Sequence, residues 1–134
     1  MMLKLKAWPI VVGILIDTLG SIVVGVLYLI AVIGITGAAE PPLIVADILG
    51  LFMTAIGGFV AARMARTQPI QHGAAVGAGA ILVWLLVEWF SPTETLPGWD
   101  AVLSFVGIIP AGALGGYVAA KRANTPHALG SGER

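Results

Sequence analysis

The residues of this chain that could do chemistry are few, and the most informative is an acid in apolar surroundings. Asp17 stands in the run IVVGILIDTLGS, from Ile10 to Ser21. It falls about nine residues into a hydrophobic helix, or roughly 13 Å along it at 1.5 Å per residue. A carboxyl at that depth in a bilayer is costly by a few kcal/mol or more, so it should face protein or water. The helical stripe through it is Gly13, Asp17, Gly20, Ser21, Val24 and Tyr28, which is small and polar as an interior face would be. Two chemistries follow. Asp17 could be protonated and hydrogen-bonded across helices, with Ser21 or Thr54 as partner. Alternatively Asp17, Ser21 and Thr54 could form a proton or cation site.

Asp47 and Glu88 make a second group, each about 6 Å below the opposite edge of the membrane by the same rise. They read as an outer acidic pair, or as two side chains snorkelling to the headgroups. Asp47 is placed in the first turn of its helix, where the dipole favours an anion. Asp17 is about 10 Å deeper, which argues against one shared site for all three acids.

Other chemistry lacks its parts. His72 sits beside Gln71 at the start of a helix and reads as an interfacial side chain; His127 is in the tail. No HxxH, HxxxH or HExxH occurs, so no metal site is expected. A haem site would want facing histidines, and no cofactor is expected. There is no cysteine, hence no disulfide framework or thiol nucleophile. GxSxG and P-loop signatures are missing, and Ser21, Ser91 and Ser104 have no histidine at their depth, so no enzyme activity is expected.

The elements that position these residues follow from composition. Of 134 residues, 58% are hydrophobic and 10% charged. A soluble domain of this size could not hide so much apolar surface. Four stretches reach the roughly 20 apolar residues of a spanning helix: 8–36, 43–66, 72–91 and 99–121. GAAEPP, RTQPIQ and SPTETLPG separate them, each a polar break with proline. The first run is too long for a signal-peptide core, and no A-x-A site closes it. The fold class is therefore an all-α membrane protein with four transmembrane helices. Residues 1–124 form one domain, and 125–134 a flexible tail.

Charge sets the orientation. Lys4, Lys6, Arg63, Arg66, Lys121, Arg122 and Arg134 all fall on one side, while Glu40, Glu94 and Asp100 occupy the other loops. The positive-inside rule then puts both termini in the cytoplasm. Net charge is zero, and no nucleic acid partner is implied.

The chain also reads as a duplicated hairpin. GGFVAARMAR from Gly57 matches GGYVAAKRAN from Gly115 at eight of ten positions, identical or conservative, and PIVVG at Pro9 answers PIQHG at Pro69. Repeat 1 covers about 8–66 and repeat 2 about 69–124, in the same orientation, which is a parallel repeat. Gly112 and Gly116, Gly73 and Gly77, and Gly58 with Ala62 supply small-residue faces for close helix packing, either within the bundle or between subunits. Pro110 is expected to kink the last helix.

The motif I-x-x-G-x-x-x-D-x-x-G-S together with GG[FY]VAA[RK] closing helices 2 and 4 resembles small four-helix bacterial inner-membrane proteins of unassigned function. That resemblance covers most of the chain and implies location, not activity. In architecture the chain is also similar to small multidrug resistance transporters, which have an acid in helix 1. Here that acid is Asp17 rather than glutamate, and their helix 2 to 4 motifs are missing. The function expected first is a non-catalytic membrane subunit or assembly partner, with the lipid bilayer and other membrane subunits or itself as partners. A proton-coupled transporter or channel using Asp17 is the alternative, and lipid or quinone binding between the helices a further one.

Overall fold

A computed structural model describes residues 5–37, 42–90 and 99–124. They form four α-helices: α1 (Ala7–Thr36), α2 (Leu43–Ala65), α3 (Pro69–Phe90) and α4 (Trp99–Ala123). Each is long and apolar enough to cross a membrane, α4 through its stretch Ser104–Ala123. This is the pattern of a multi-pass membrane protein, because in hydrocarbon every backbone N–H and C=O must be satisfied within its own helix. The other two connecting loops, the tail, and the residues Lys4, Glu40, Glu94 and His127 lie outside the described residues.

The helix ends follow local chemistry. α1 stops at Gly37, which takes φ 64 and donates its N–H to Ile33 O. That left-handed cap suits glycine, which has no Cβ to clash. α2 stops the same way on Arg66, with φ 58 and its N–H donated to Ala62 O. Here a bulky residue takes the conformation that glycine usually fills, and Gln68, at φ 45, does so again two residues later. The α2–α3 turn is therefore shorter than the RTQPIQ break. α3 begins on Pro69 because proline lacks an N–H that the first helical position does not need and has its φ already set. Pro110 lies inside α4 on its exposed side, leaving the Val106 carbonyl without its helical donor.

α1 packs on α2 and α3, and α4 packs on the same two helices; α2 also touches α3, while among the described residues α1 and α4 do not meet. The order around the bundle is α1–α2–α4–α3, with α2 and α3 as the short diagonal. Residues that face each other fix the directions. Gly13 lies against Gly57, and Tyr28 Oη donates to Pro42 O at 2.9 Å, so α1 and α2 run antiparallel. Gly73 against Gly116 and Gly77 against Ile108 do the same for α3 and α4.

The tight packing is confined to one half, the basic end that carries Lys6, Arg63, Arg66, Lys121 and Arg122. The buried residues there include Ala61, Ala62, Ala65, Val76 and Ala119. A Cβ added at Gly57 would sit 2.5 Å from Gly13 O, and one at Gly77 2.6 Å from Ile108 O. Cβ atoms at Gly58 or Gly73 would strike Gly112 O, and one at Gly116 would strike Pro69 O. These glycines let backbones meet directly, which is how helices associate when lipid offers no hydrophobic drive between them. All of these contacts lie within one chain. Corresponding glycines do not make corresponding contacts, however. Gly57 faces α1 and Gly58 faces α4, whereas Gly115 faces α2 and Gly116 faces α3.

Candidate functional site

Away from the basic end the helices separate and enclose a cavity of about 500 Å³, with residues from all four lining it. α1 contributes Asp17, Thr18 and Ser21; α2 contributes Asp47, Gly50 and Thr54; α3 contributes Val83, Trp84 and Val87; α4 contributes Ser104, Phe105 and Ile108. Most of the wall is apolar, with a few polar groups converging, as in small-molecule sites generally. Trp84 and Phe105 meet edge to face, with centroids 4.5 Å apart and planes at 88°, and join the α3 and α4 walls. Asp17 and Asp47 are both in the lining, and among the described residues no Lys, Arg or His is. The field inside therefore suits a proton or a cation, not an anion.

Asp17 forms the floor. It lies ten residues from the start of α1, and Thr54 eleven from the end of α2. In antiparallel helices this puts both about 15 Å from the basic end. They are only 5% and 3% exposed. Just beyond them the Gly13–Gly57 contact brings the backbones together, and Val76 and Ala61 pack against Gly13. This small-residue plug closes the cavity toward the basic end.

Thr54 Oγ1 donates to Asp17 Oδ1 at 2.8 Å and also lies 3.2 Å from Gly50 O. A hydroxyl has one hydrogen and two lone pairs. Pointed at Asp17, it satisfies an ionised carboxylate. Turned back to Gly50 O one helical turn away, it leaves a lone pair to accept from a protonated Asp17. The pair can hold the carboxyl in either protonation state without orphaning a buried polar atom, the condition that makes buried polar groups tolerable.

The residues singled out from the sequence divide clearly. Asp17, Ser21 and Thr54 come together at the floor of the cavity. Asp47 lines its wall, about two turns from Thr54. It lies just past the first turn of α2, which holds no acid, so the dipole argument made for it does not apply. Glu88 neighbours the lining residue Val87 but is not in the lining itself. Gly58, Ala62, Gly73, Gly77, Gly112 and Gly116 belong to the plug and its continuation, not to the cavity. Among the described residues no three of His, Cys, Asp and Glu gather as metal ligands.

His72 corrects the expectation of an interfacial side chain: it is fully buried. Its Nε2 accepts from the Lys6 backbone N–H at 3.0 Å, and its Nδ1 lies 3.0 Å from Gln68 O. Because Lys6 N–H can only donate, Nε2 is unprotonated and Nδ1 carries the hydrogen, which fixes the neutral tautomer. Lys6 Nζ also donates to Ala65 O at 3.2 Å. One residue before α1 thereby ties α1 to the end of α2 and the start of α3. Nothing in a lone histidine at a helix start signals this, since one of its two backbone partners is sixty-six residues away. The aromatic wall is equally hidden, because Trp84 sits in α3, a helix that is apolar all round.

Comparison with known protein families, with curated proteins and with solved structures finds no match for the chain.

Proposed function

We propose that this protein is a small proton-coupled carrier or channel for a cationic or proton-exchanging solute, with Asp17 as the exchanging group. The observation that carries this reading is the two-way hydrogen bonding of Thr54 between Asp17 Oδ1 and Gly50 O at the floor of a four-helix cavity. Asp47 adds a second carboxyl on the route toward that floor, and the absence of cations from the lining favours positive cargo. The Gly13–Gly57–Val76 plug is the barrier that must part for passage.

The test is reconstitution in liposomes with a pH-sensitive dye inside. Wild type should move protons down an imposed gradient, and Asp17→Asn, checked for the same melting temperature, should not. Equal rates in the two proteins, or no movement in either, would sink the proposal.

Orientation and duplication belong to the same reading. The basic end faces the cytoplasm of a bacterial inner membrane, with both termini there, because the cations gather at that end. Two parallel copies of a hairpin account for the repeated GG[FY]VAA[RK] motif. The helices that such a duplication pairs, α1 with α3 and α2 with α4, sit side by side in the ring α1–α2–α4–α3 and not across it, and their glycines face different neighbours, so the two copies dock differently and are not related by a twofold axis along the membrane normal.

A second reading, a non-catalytic subunit or assembly partner, draws support from one feature. No residue of α1 beyond Asp17 is buried, so the second half of α1 presents an open apolar flank. A partner helix or a second copy would fill it. Crosslinking across that flank in native membranes separates the readings: a single discrete adduct favours the subunit, and none favours the independent carrier.

A further inference from the structure

A second site lies at the basic end, away from Asp17. A pocket of about 520 Å³ there is lined by Arg63 and Arg66 from the end of α2, Arg122 from the end of α4, and a floor of Ala62, Ala119 and Ala123. Among the described residues its lining contains three guanidinium groups and no carboxylate. Arg122 also lines an adjoining apolar groove of about 370 Å³ that runs along α2 and α4 past Phe59, Ile56, Phe52, Leu114 and Val118. Phe59 joins the two: the guanidinium carbons of Arg63 and Arg122 lie 5.7 and 5.5 Å from its ring centroid. That contact holds two of the three cations in place above the groove.

We propose that this paired pocket and groove is a binding site for an anionic phospholipid, with its phosphate among Arg63, Arg66 and Arg122 and one acyl chain in the groove. Charge complementarity selects the headgroup. Guanidinium matches phosphate oxygens in a two-pronged geometry, and basic pockets at the ends of membrane helices are where anionic headgroups sit. The apolar groove selects a lipid over a free anion, because inorganic phosphate has nothing to place between Phe52 and Val118. Arg66 adds an independent point. It occupies a left-handed cap at φ 58, a position that glycine takes without strain. An arginine there gains nothing for the turn, but it supplies the third cation of the pocket.

The measurement is native mass spectrometry of the full chain released from detergent. It is titrated separately with phosphatidylglycerol, phosphatidylcholine and inorganic phosphate. Phosphatidylglycerol should remain bound at concentrations about tenfold or more below phosphatidylcholine. Inorganic phosphate should neither bind comparably nor displace the lipid. Arg63→Gln/Arg66→Gln/Arg122→Gln should lose the preference for the anionic lipid. Lys121→Gln, on the same helix end but outside both linings, should keep it. If the triple variant does not fold, Arg122→Gln alone reads the shared residue and should reduce the preference several-fold. Equal retention of the two lipids, a preference that survives in the arginine variants, or displacement by inorganic phosphate overturns the proposal.

Discussion

Replacing Gly57 by alanine tests whether direct backbone contact closes the cavity. The new Cβ would lie 2.5 Å from Gly13 O, where ordinary contact begins near 3.4 Å, so α1 and α2 must part by about 0.9 Å. The obstacle is backbone on both sides, and no flexible side chain can yield. The same Cβ would lie 3.2 Å from Asp17 Cβ, so the strain reaches the floor of the cavity. Overpacking of this kind costs about 1–3 kcal/mol, a factor of roughly 5 to 150 in the folded-to-unfolded ratio. Gly25 and Gly50 serve as controls, because a Cβ at either meets nothing within 4 Å. Alanine there should be neutral or stabilise by up to about 1 kcal/mol through helix propensity. The assay is unfolding in mixed micelles with rising SDS fraction, followed by circular dichroism. Gly57→Ala should unfold at clearly lower SDS than Gly25→Ala and Gly50→Ala. If all three unfold together, the helices are not held at backbone contact and the plug described here does not exist.

Three further outcomes follow from the same geometry. Thr54→Val keeps the shape but removes the hydroxyl shared by Asp17 and Gly50; it should cost about 1 kcal/mol in the same unfolding assay and slow proton movement in liposomes. Stability loss with an unchanged rate would confine Thr54 to packing. His72→Ala removes both links held by the imidazole and leaves a void at a fully buried position; a loss of about 2–4 kcal/mol is expected, with faster hydrogen exchange at the Lys6 backbone N–H that the imidazole holds. The chain has no cysteine, so Ser21→Cys and Ser104→Cys can be labelled cleanly. A membrane-impermeant thiol reagent should reach both from the side opposite the arginines and neither from the arginine side, and the reverse pattern would overturn the placement of the plug.

Much of this architecture could be read in the sequence, because lipid imposes a strong constraint. Length and hydropathy gave four helices whose bounds differ from the observed ones by a few residues, chiefly at Pro69, where proline opens α3 instead of preceding it. The Asp17–Thr54 meeting was also within reach. A buried acid needs a partner, and Thr54 lies at its depth on the antiparallel neighbour. What could not be read was the cavity itself. Its wall depends on which side of α3 and α4 turns inward, and α3, apolar all round, carries no periodic signal for that. The meeting of Trp84 with Phe105 could not be read for this reason. His72 was missed for a different one: its role is set by backbone atoms of Lys6 and Gln68, and backbone partners leave no trace in residue type. The arginine pocket was half legible. The positive-inside rule accounts for cations at that end, but not for three of them lining one pocket or for two of them meeting over Phe59.

The central claim is that Asp17 exchanges its proton with the water-accessible cavity. Infrared difference spectroscopy of the protein in lipid bilayers, recorded as pH is stepped, observes that carboxyl directly. A protonated-carboxyl C=O stretching band whose intensity follows pH, is lost in Asp17→Asn and shifts in frequency in Thr54→Val is the expected result. A band that stays constant at every pH, or one that persists unchanged in Asp17→Asn, would contradict the account.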